Sequence, residues 1–350
     1  MPALLEKQLS YKPKPQPHYL YENNTWLPST TRHHPSPDSF KSLHLITWNI
    51  DFMASHPRAR MAAAIQHLEE AISGIPASSA IIILLQEMMD LTGKMGFNAS
   101  NEQHANDLSM LQEQEWVRQR FLLTDVNTEG WKEKYGVLTL VDRRLHVRGV
   151  GRLDFVTEHG RDAVSVDVGL SNRPDGVLRL CNVHLDSMVG TRRPIQWKGL
   201  AQHLQNKDPD ARSSVLASIV AGDCNANQPR DRTEPQDNGF RDAYLELGRE
   251  EGDKEGATWG FQSARNRFGK QRLDKVCFWG DGLGIKTLGR IGVGVEVGDL
   301  VAKKELEEKK KLKFATDHYG LVAEFEVEGG LETVSQLNSE ERGGEVAPRS

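Results

Sequence analysis

Six places in this sequence gather acid, amide or imidazole groups at spacings that chemistry can use: Asn49 with Asp51, Glu87, His184 with Asp186, Asp223 with Asn225, Asp274, and the pair Asp317-His318. In Gly222-Asp223-Cys224-Asn225 a carboxylate and a carboxamide stand two positions apart. On an extended chain such side chains point the same way, so both can address one ligand. All-oxygen ligation by Glu87 and Asp51 suits a hard divalent cation, and the lack of a Cys/His ligand pattern argues against a structural zinc site. A carboxylate near an amide can activate and orient water. An Asp-His pair can hold an imidazole toward charge that develops on phosphorus. The chemistry is metal-assisted hydrolysis of a phosphate ester. Each place also has a plainer explanation, because Asp and Asn cap strands and turns everywhere. Their joint recurrence at strand ends is what points to one site held by a rigid sheet.

The elements that must hold these groups follow from apolar runs and their punctuation. Leu43–Ile50 reads as a strand delivering Asn49 and Asp51, and Ala80–Leu85 as a buried strand delivering Gln86-Glu87. Val177–His184 and Val215–Asn227 are further strands; the second ends abruptly at Gly222. Arg58–Gly74 has Met61, Ile65, Leu68 and Ile72 at helical spacing and is stopped by Gly74-Ile75-Pro76. Helices are also expected over Asn106–Arg120, Arg192–Gln205, Phe240–Glu251 and the charged Asp299–Lys313 stretch. Many strands in two sets, with helices between, predict two packed mixed sheets flanked by helices, a four-layer α/β/β/α sandwich.

This domain is expected over residues 41–328. Residues 1–40 hold seven of the 15 prolines, which predicts an extension without regular structure whose aromatics lie along the domain. The polar stretch 329–350 is expected to be a disordered tail. With 350 residues, 38% hydrophobic and 27% charged, the chain can bury a sizeable core, and its net charge of −5 sets up no global basic field. Any anion site must be local. Three cysteines without metal-type spacing fit reduced thiols and a nuclear and/or cytoplasmic location. No apolar stretch reads as a secretion signal or a membrane span. The loop Ser263–Lys275 is rich in Arg and Lys beside Phe261 and Phe268, a candidate track for a nucleic-acid backbone. Trp259 and Arg272, beside and within it, are candidate substrate contacts.

Thr47-Trp48-Asn49-Ile50-Asp51, Leu85-Gln86-Glu87, Asn182 to Ser187, Gly222 to Asn225, Arg272-Leu273-Asp274 and Thr316-Asp317-His318, in this order, resemble the endonuclease/exonuclease/phosphatase superfamily. The likeness is greatest to its tyrosyl-DNA phosphodiesterases. It implies a DNase I-like sandwich, Mg2+ as cofactor with Mn2+ able to substitute, and hydrolysis of 5′-phosphotyrosyl protein–DNA adducts in DNA repair. The substrate so implied is a single-stranded or frayed 5′ end, met by a monomer. By the same likeness Glu87 binds the metal with Asn49 and Asp51 beside it, Asp223 activates water, and Asn225 fixes the phosphate. His318, oriented by Asp274 or Asp317, stabilises the pentacovalent phosphorus. His184 contacts the phosphate, and Asn49, Arg161 and Tyr135 face the substrate. The chain departs from the pattern at Asn227, where an arginine is expected and for which Arg230 is a candidate substitute, at Asp162, and at Phe52. Other members of the superfamily act on abasic DNA, RNA, or lipid and inositol head groups. A non-catalytic binding module on the same scaffold is the reading from a different class.

Overall fold

The computed structural model describes residues 2–29, 35–91, 105–205, 214–263 and 268–334. Its strands form two sheets that meet at one corner. One sheet places Ser214–Asp223 between Arg173–His184, to which it is parallel, and the antiparallel Asp274–Trp279; Asp162–Leu170 and Val147–Asp154 continue it. The other places Pro35–Asn49 between the parallel Ser79–Met89 and the antiparallel Gly320–Val334, with Leu283–Ile291 and Tyr135–Asp142 outside them. Among the described residues the strand pair Leu331–Leu170 joins the two.

Alternation along the strands makes the layers. Leu43, Leu45, Ile82 and Leu84 of one sheet and Val164, Val166, Leu178, Leu180 and Ile219 of the other share a central core. The opposite faces of the same strands are also apolar: Ile46, Trp48, Ile81 and Ile83 pack on Met61, Ile65 and Leu68 of the helix Pro57–Ser73. Cys181, Val183 and Val220 pack on Trp197, Leu200 and Leu204 of the helix Arg193–Leu204. Strands buried on both faces read as continuous apolar runs. The expected four-layer sandwich is therefore present.

Four expectations are corrected. Residues 1–40 are structured: a helix spans Pro2–Ser10, and strands span Lys14–Gln16, Tyr19–Glu22 and Thr25–Pro28. Lys14–Gln16 pairs with the sheet's outer strand Val147–Asp154, where proline is tolerated because its missing N–H faces away from the ladder. The final strand runs through residue 328 to Val334, still paired with residues 35–40. Gly329 and Gly330, which look like a terminus, sit at φ +78° in a register shift and form a bulge. The rest of the expected tail, from residue 335, lies outside the described residues. The helix expected over Asn106–Arg120 is two short ones, Asp107–Gln112 and Glu115–Arg120, and Phe240–Glu251 contains a short strand, Arg241–Asp242, and one helical turn, Ala243–Glu246.

One polar connection crosses the central core. Gln86 Nε2 donates to Asn182 Oδ1 at 2.8 Å and to Thr47 Oγ1 at 3.0 Å, while Asn182 Nδ2 donates to the carbonyls of Leu85 (3.1 Å) and Leu138 (2.9 Å). Asn182 and Gln86 are fully buried and belong to different sheets. Asn182→Ala strands several polar groups without water and should cost about 3 kcal/mol of unfolding free energy. Urea denaturation checks this, and a loss below about 1 kcal/mol would remove the rung from the account.

Asp107, buried beside the Met89 N–H, is pushed up to about 7 by burial. Folding then takes up a proton, so its contribution to stability is whole below pH 3.8 and is lost as pH rises through about 7. Asp107→Asn keeps an acceptor for Met89 but does not titrate. The variant should gain on the parent by up to about 1.4 kcal/mol per pH unit across that window. Paired urea titrations at pH 4.5 and 7.5 measure it; a constant difference would show that Asp107 does not carry the slope.

Candidate active site

Strand register assembles the site. His184 pairs with Asp223, and Asp223 with Asp274, so three strands of one sheet present these side chains in a row. Asn49 pairs with Gln86 at the same end of the other sheet. Gly222 makes the row possible. It lies at φ +148°, and a Cβ there would come within 1.9 Å of the Val183 carbonyl oxygen. Glu87 sits in a bulge of its strand between Leu85 and Met88, with φ +59°. Asp51 (φ +59°) and Asn225 (φ +48°) are also left-handed, a costly conformation for residues with side chains.

Asp223 is the centre. Its Oδ2 accepts from Asn49 Nδ2 at 3.0 Å, and its Oδ1 from the Asn225 N–H at 2.8 Å. His184 Nε2 lies 3.3 Å and His318 Nε2 3.9 Å from Oδ2. Burial works against a charge here, but the hydrogen bond from His184 and the charge of His318 overcome it and hold the carboxyl well below the usual range. Asp223 is thus a fixed anion. His318 is pushed the other way: burial opposes protonation, yet Asp274, Asp223 and Asp317 raise it well above an ordinary imidazole. Its Nδ1 donates to Asp274 Oδ2 at 2.8 Å, so it stands as an imidazolium with Nε2–H toward the centre.

His184 is the contrasting imidazole. Arg161 Nη1 lies 3.0 Å from its Nδ1, and a guanidinium can only donate, so Nδ1 accepts and the proton sits on Nε2. Burial and the Arg161 charge push its pKa down to about 4. That Nε2–H faces Asp223 and, at 3.7 Å, Glu87 Oε1. His184 is therefore a neutral donor rather than a metal ligand.

Glu87 and Asp51 are the carboxylates in want of a cation. Burial raises Glu87 to about 7, and burial with Asp317 nearby raises Asp51 to about 6. Glu87, His184 and Asp223 bring ligand atoms within 4.8 Å of one another, as do Asp223, Asp274 and His318. With the nitrogens protonated, the usable donors are oxygens, which fits a hard divalent cation.

The remaining expected residues divide. Asn49 is spent on orientation, since its Oδ1 accepts the Asp51 N–H at 3.0 Å while its Nδ2 holds Asp223. Asn225 Nδ2 donates to the Leu185 carbonyl at 3.0 Å. Tyr135 lies beside His184 and under the Arg161 guanidinium, 4.9 Å from its ring centre. Asp317 Oδ2 accepts from Trp259 Nε1 at 2.8 Å; the indole is buried and positions an acid next to His318. Arg272 is not a substrate contact: it is buried in ion pairs with Asp242 (2.9 Å) and Glu251, and Lys275 joins the same pair of acids. The basic loop thus loses two of its cations to the interior. Residues 264–267 of that loop lie outside the described residues.

Three residues support the site in ways the sequence does not assign: Thr316 and Asp186 stand in the motifs without a role, and Arg193 is not singled out. Thr316 Oγ1 donates to the Asn49 carbonyl at 2.7 Å and accepts the His318 N–H at 3.2 Å, tying the His318 turn to the end of the neighbouring strand Pro35–Asn49. Asp186 accepts from Thr157 Oγ1 and, at 2.9 Å, from the Glu158 N–H, which fixes the loop leading to Arg161. Arg193 is fully buried and donates to Asp231 (2.6 Å), Asn227 Oδ1 (3.1 Å) and the Asp186 carbonyl (2.7 Å). Asn227, the departure from the family pattern, is thereby committed to Arg193, and Arg230 is turned onto the carbonyls of Val189 and Gly190. The Thr-Asp-His spacing could have signalled Thr316; nothing in sequence marks Arg193.

A family model described as the endonuclease/exonuclease/phosphatase family matches residues 46–318. Among solved structures, humanized D. rerio TDP2 with 14 mutations is 17% identical over 81% of this chain and 99% of that chain, with TM-score 0.58. TDP2 from C. elegans is 18% identical over 83% of this chain and 77% of its own, also at 0.58. D. rerio TDP2 complexed with a single-strand DNA product is 16% identical, covering 81% and 98%, at 0.56. At such identities the likeness speaks for the fold alone. No curated protein sequence matches the chain.

The two imidazoles give a direct check on this geometry. Nitrogen-15 NMR at pH 7 should find His184 as the neutral Nε2–H tautomer and His318 doubly protonated. A neutral His318, or a proton on Nδ1 of His184, would refute the charge assignment.

Proposed function

The chain belongs to the endonuclease/exonuclease/phosphatase family, and we propose that it is a magnesium-dependent phosphodiesterase that releases tyrosyl adducts from DNA 5′ ends. Manganese is expected to substitute. The observation that carries the reading is the division of charge around Asp223. A pinned carboxylate has an imidazolium 3.9 Å away on one side and a neutral imidazole 3.3 Å away on the other, next to two carboxyls that burial has raised. That is a site for a phosphate and its attacking water.

In this reading Asp223 aligns the water; its depressed pKa keeps it ionised as an orienting acceptor but leaves it only a weak proton sink. The His318 Nε2–H stabilises charge on the phosphorus oxygens as it grows, held in place by Asp274. The His184 Nε2–H, kept on that nitrogen by Arg161, adds a second donor. Asn225, on a left-handed turn, supports the phosphate. Glu87 and Asp51 would hold the cation, which supplies Lewis-acid stabilisation of the phosphate and leaving oxygen. The structural neighbour complexed with a single-strand DNA product supports single-stranded DNA as the polymer, and a nuclear and/or cytoplasmic location goes with that substrate.

Purified protein should liberate tyrosine from a 5′-phosphotyrosyl oligonucleotide with magnesium and stop on chelation. Asp223→Asn should retain the fold and lose activity by about 10²–10⁴-fold. The same preparation is offered abasic duplex, RNA and a head-group phosphodiester. Metal-dependent cleavage of one of these, with the tyrosyl ester untouched, would move the assignment elsewhere in the family. Undiminished turnover by Asp223→Asn would overturn the role of Asp223.

A further inference from the structure

Phe52 is the one aromatic residue on the loop that carries Asp51, and the mechanism above makes no use of it. Its backbone N–H donates to Glu87 Oε2 at 3.2 Å, which fixes the residue beside the carboxylate expected to hold the cation. Its ring is stacked on Tyr135, with centroids 4.0 Å apart and planes at 19°. The Arg161 guanidinium lies over the same tyrosine at 4.9 Å. A ring in stacking contact fills one face of Tyr135, so Phe52 and Arg161 take opposite faces, and Arg161 is in turn held by His184. The result is a rigid column, Phe52–Tyr135–Arg161–His184, that ends at Asp223.

The column continues on its outer side. Phe52 is only partly buried, and Met53 after it is 72% exposed. Tyr135 backs one face of the Phe52 ring, and the bond of Phe52 to Glu87 together with the packing of Tyr135 on His184 sets this partly exposed ring beside the phosphate site. A preoriented aromatic ring at that position is what a planar group next to the scissile phosphate would stack on, and such stacking has no preference among rings.

We propose that Phe52, backed by Tyr135, is the stacking platform for the aromatic group adjoining the scissile phosphate. This rests on the phosphodiesterase reading above and names the determinant of substrate choice at that site. Two sources supply such a ring: the terminal nucleobase, and the aryl group of a tyrosyl ester.

The test compares parent, Phe52→Tyr, Phe52→Leu and Phe52→Ala on three single-stranded oligonucleotides. The first carries a 5′-phosphotyrosyl ester on a normal nucleotide, the second the same ester on an abasic nucleotide, and the third a 5′-phosphoalkyl ester on a normal nucleotide. Phe52→Leu and Phe52→Ala should lower kcat/KM on the first substrate, mostly through KM, about 10-fold more than on whichever substrate lacks the stacked ring. Phe52→Tyr should keep the parental ratios. A smaller loss on the abasic ester assigns the ring to the nucleobase, and a smaller loss on the alkyl ester assigns it to the leaving group. Equal losses on all three would overturn the proposal and leave Phe52 as packing for Tyr135.

If the parent hydrolyses none of them, the phosphodiester assignment fails by itself. Stacking is then read from binding of 5′-phosphorylated and 5′-phosphotyrosyl oligonucleotides, with and without the terminal base, in calcium. The parent should bind the ring-bearing member of a pair about 10-fold more tightly and Phe52→Ala should not; no difference between the proteins would sink the platform too.

Discussion

Everything at the site depends on two sheets ending at the same height, and a buried amide pair enforces that. The central core between the sheets is aliphatic, and aliphatic contacts alone tolerate small slips of one sheet over the other. Gln86 and Asn182 do not, because a displacement would leave four hydrogen-bonding groups unpaired in a dry interior. Gln86 is the neighbour of Glu87, and Asn182 lies two residues before His184. The same rung that aligns the sheets therefore sets the separation of Glu87 and His184, 3.7 Å between their facing atoms. Above it, Thr316 fastens the Asn49 carbonyl to the His318 turn. The distances within the site follow from these two fastenings.

The frame so fixed is used to hold unlike charge states a few ångströms apart. His184 and His318 both approach Asp223, yet one is neutral and the other charged. The difference lies in their far nitrogens: one meets a guanidinium, the other a carboxylate. Arg161 and Asp274 thus decide what each imidazole can donate. The local backbone carries a cost for this. Asp51, Glu87 and Asn225 occupy left-handed conformations that Gly would take more readily, and each persists because its side chain or its neighbour is hydrogen-bonded into the cluster.

How much of this the sequence discloses follows from the range of the forces involved. Apolar runs ending in Asn, Glu, His or Asp mark strand termini, and termini of one sheet converge, so the cluster around Asp223 was legible from spacing and from the family's motif order. Side chains whose partners are distant in the chain were not. Arg272 looks like a free cation in a basic loop until Asp242 and Glu251, 30 and 21 residues away, fold against it. Gly329-Gly330 looks like an ending because the strand that receives it lies at residues 35–40. The prolines of the first 40 residues suggested an unstructured extension. They are accommodated because the segment lies on sheet edges, where a missing N–H costs little.

That N-terminal segment lies outside the family match, which begins at residue 46, yet it reaches toward the site. Gln8 is almost wholly buried. Its Nε2 donates to the Asp154 carbonyl at 3.1 Å, and its Oε1 accepts the Val156 N–H at 2.7 Å. Lys14 pairs with Asp154 as well. Those contacts pin the start of the loop whose next residues, Thr157 and Glu158, bind Asp186 and whose end is Arg161. A helix of nine residues is too short to be stable by itself, so its order here comes from docking. The docking in turn orders the loop. The segment added outside the family's own fold is therefore wired, through Val156, Thr157 and Arg161, to the imidazole whose tautomer the site requires.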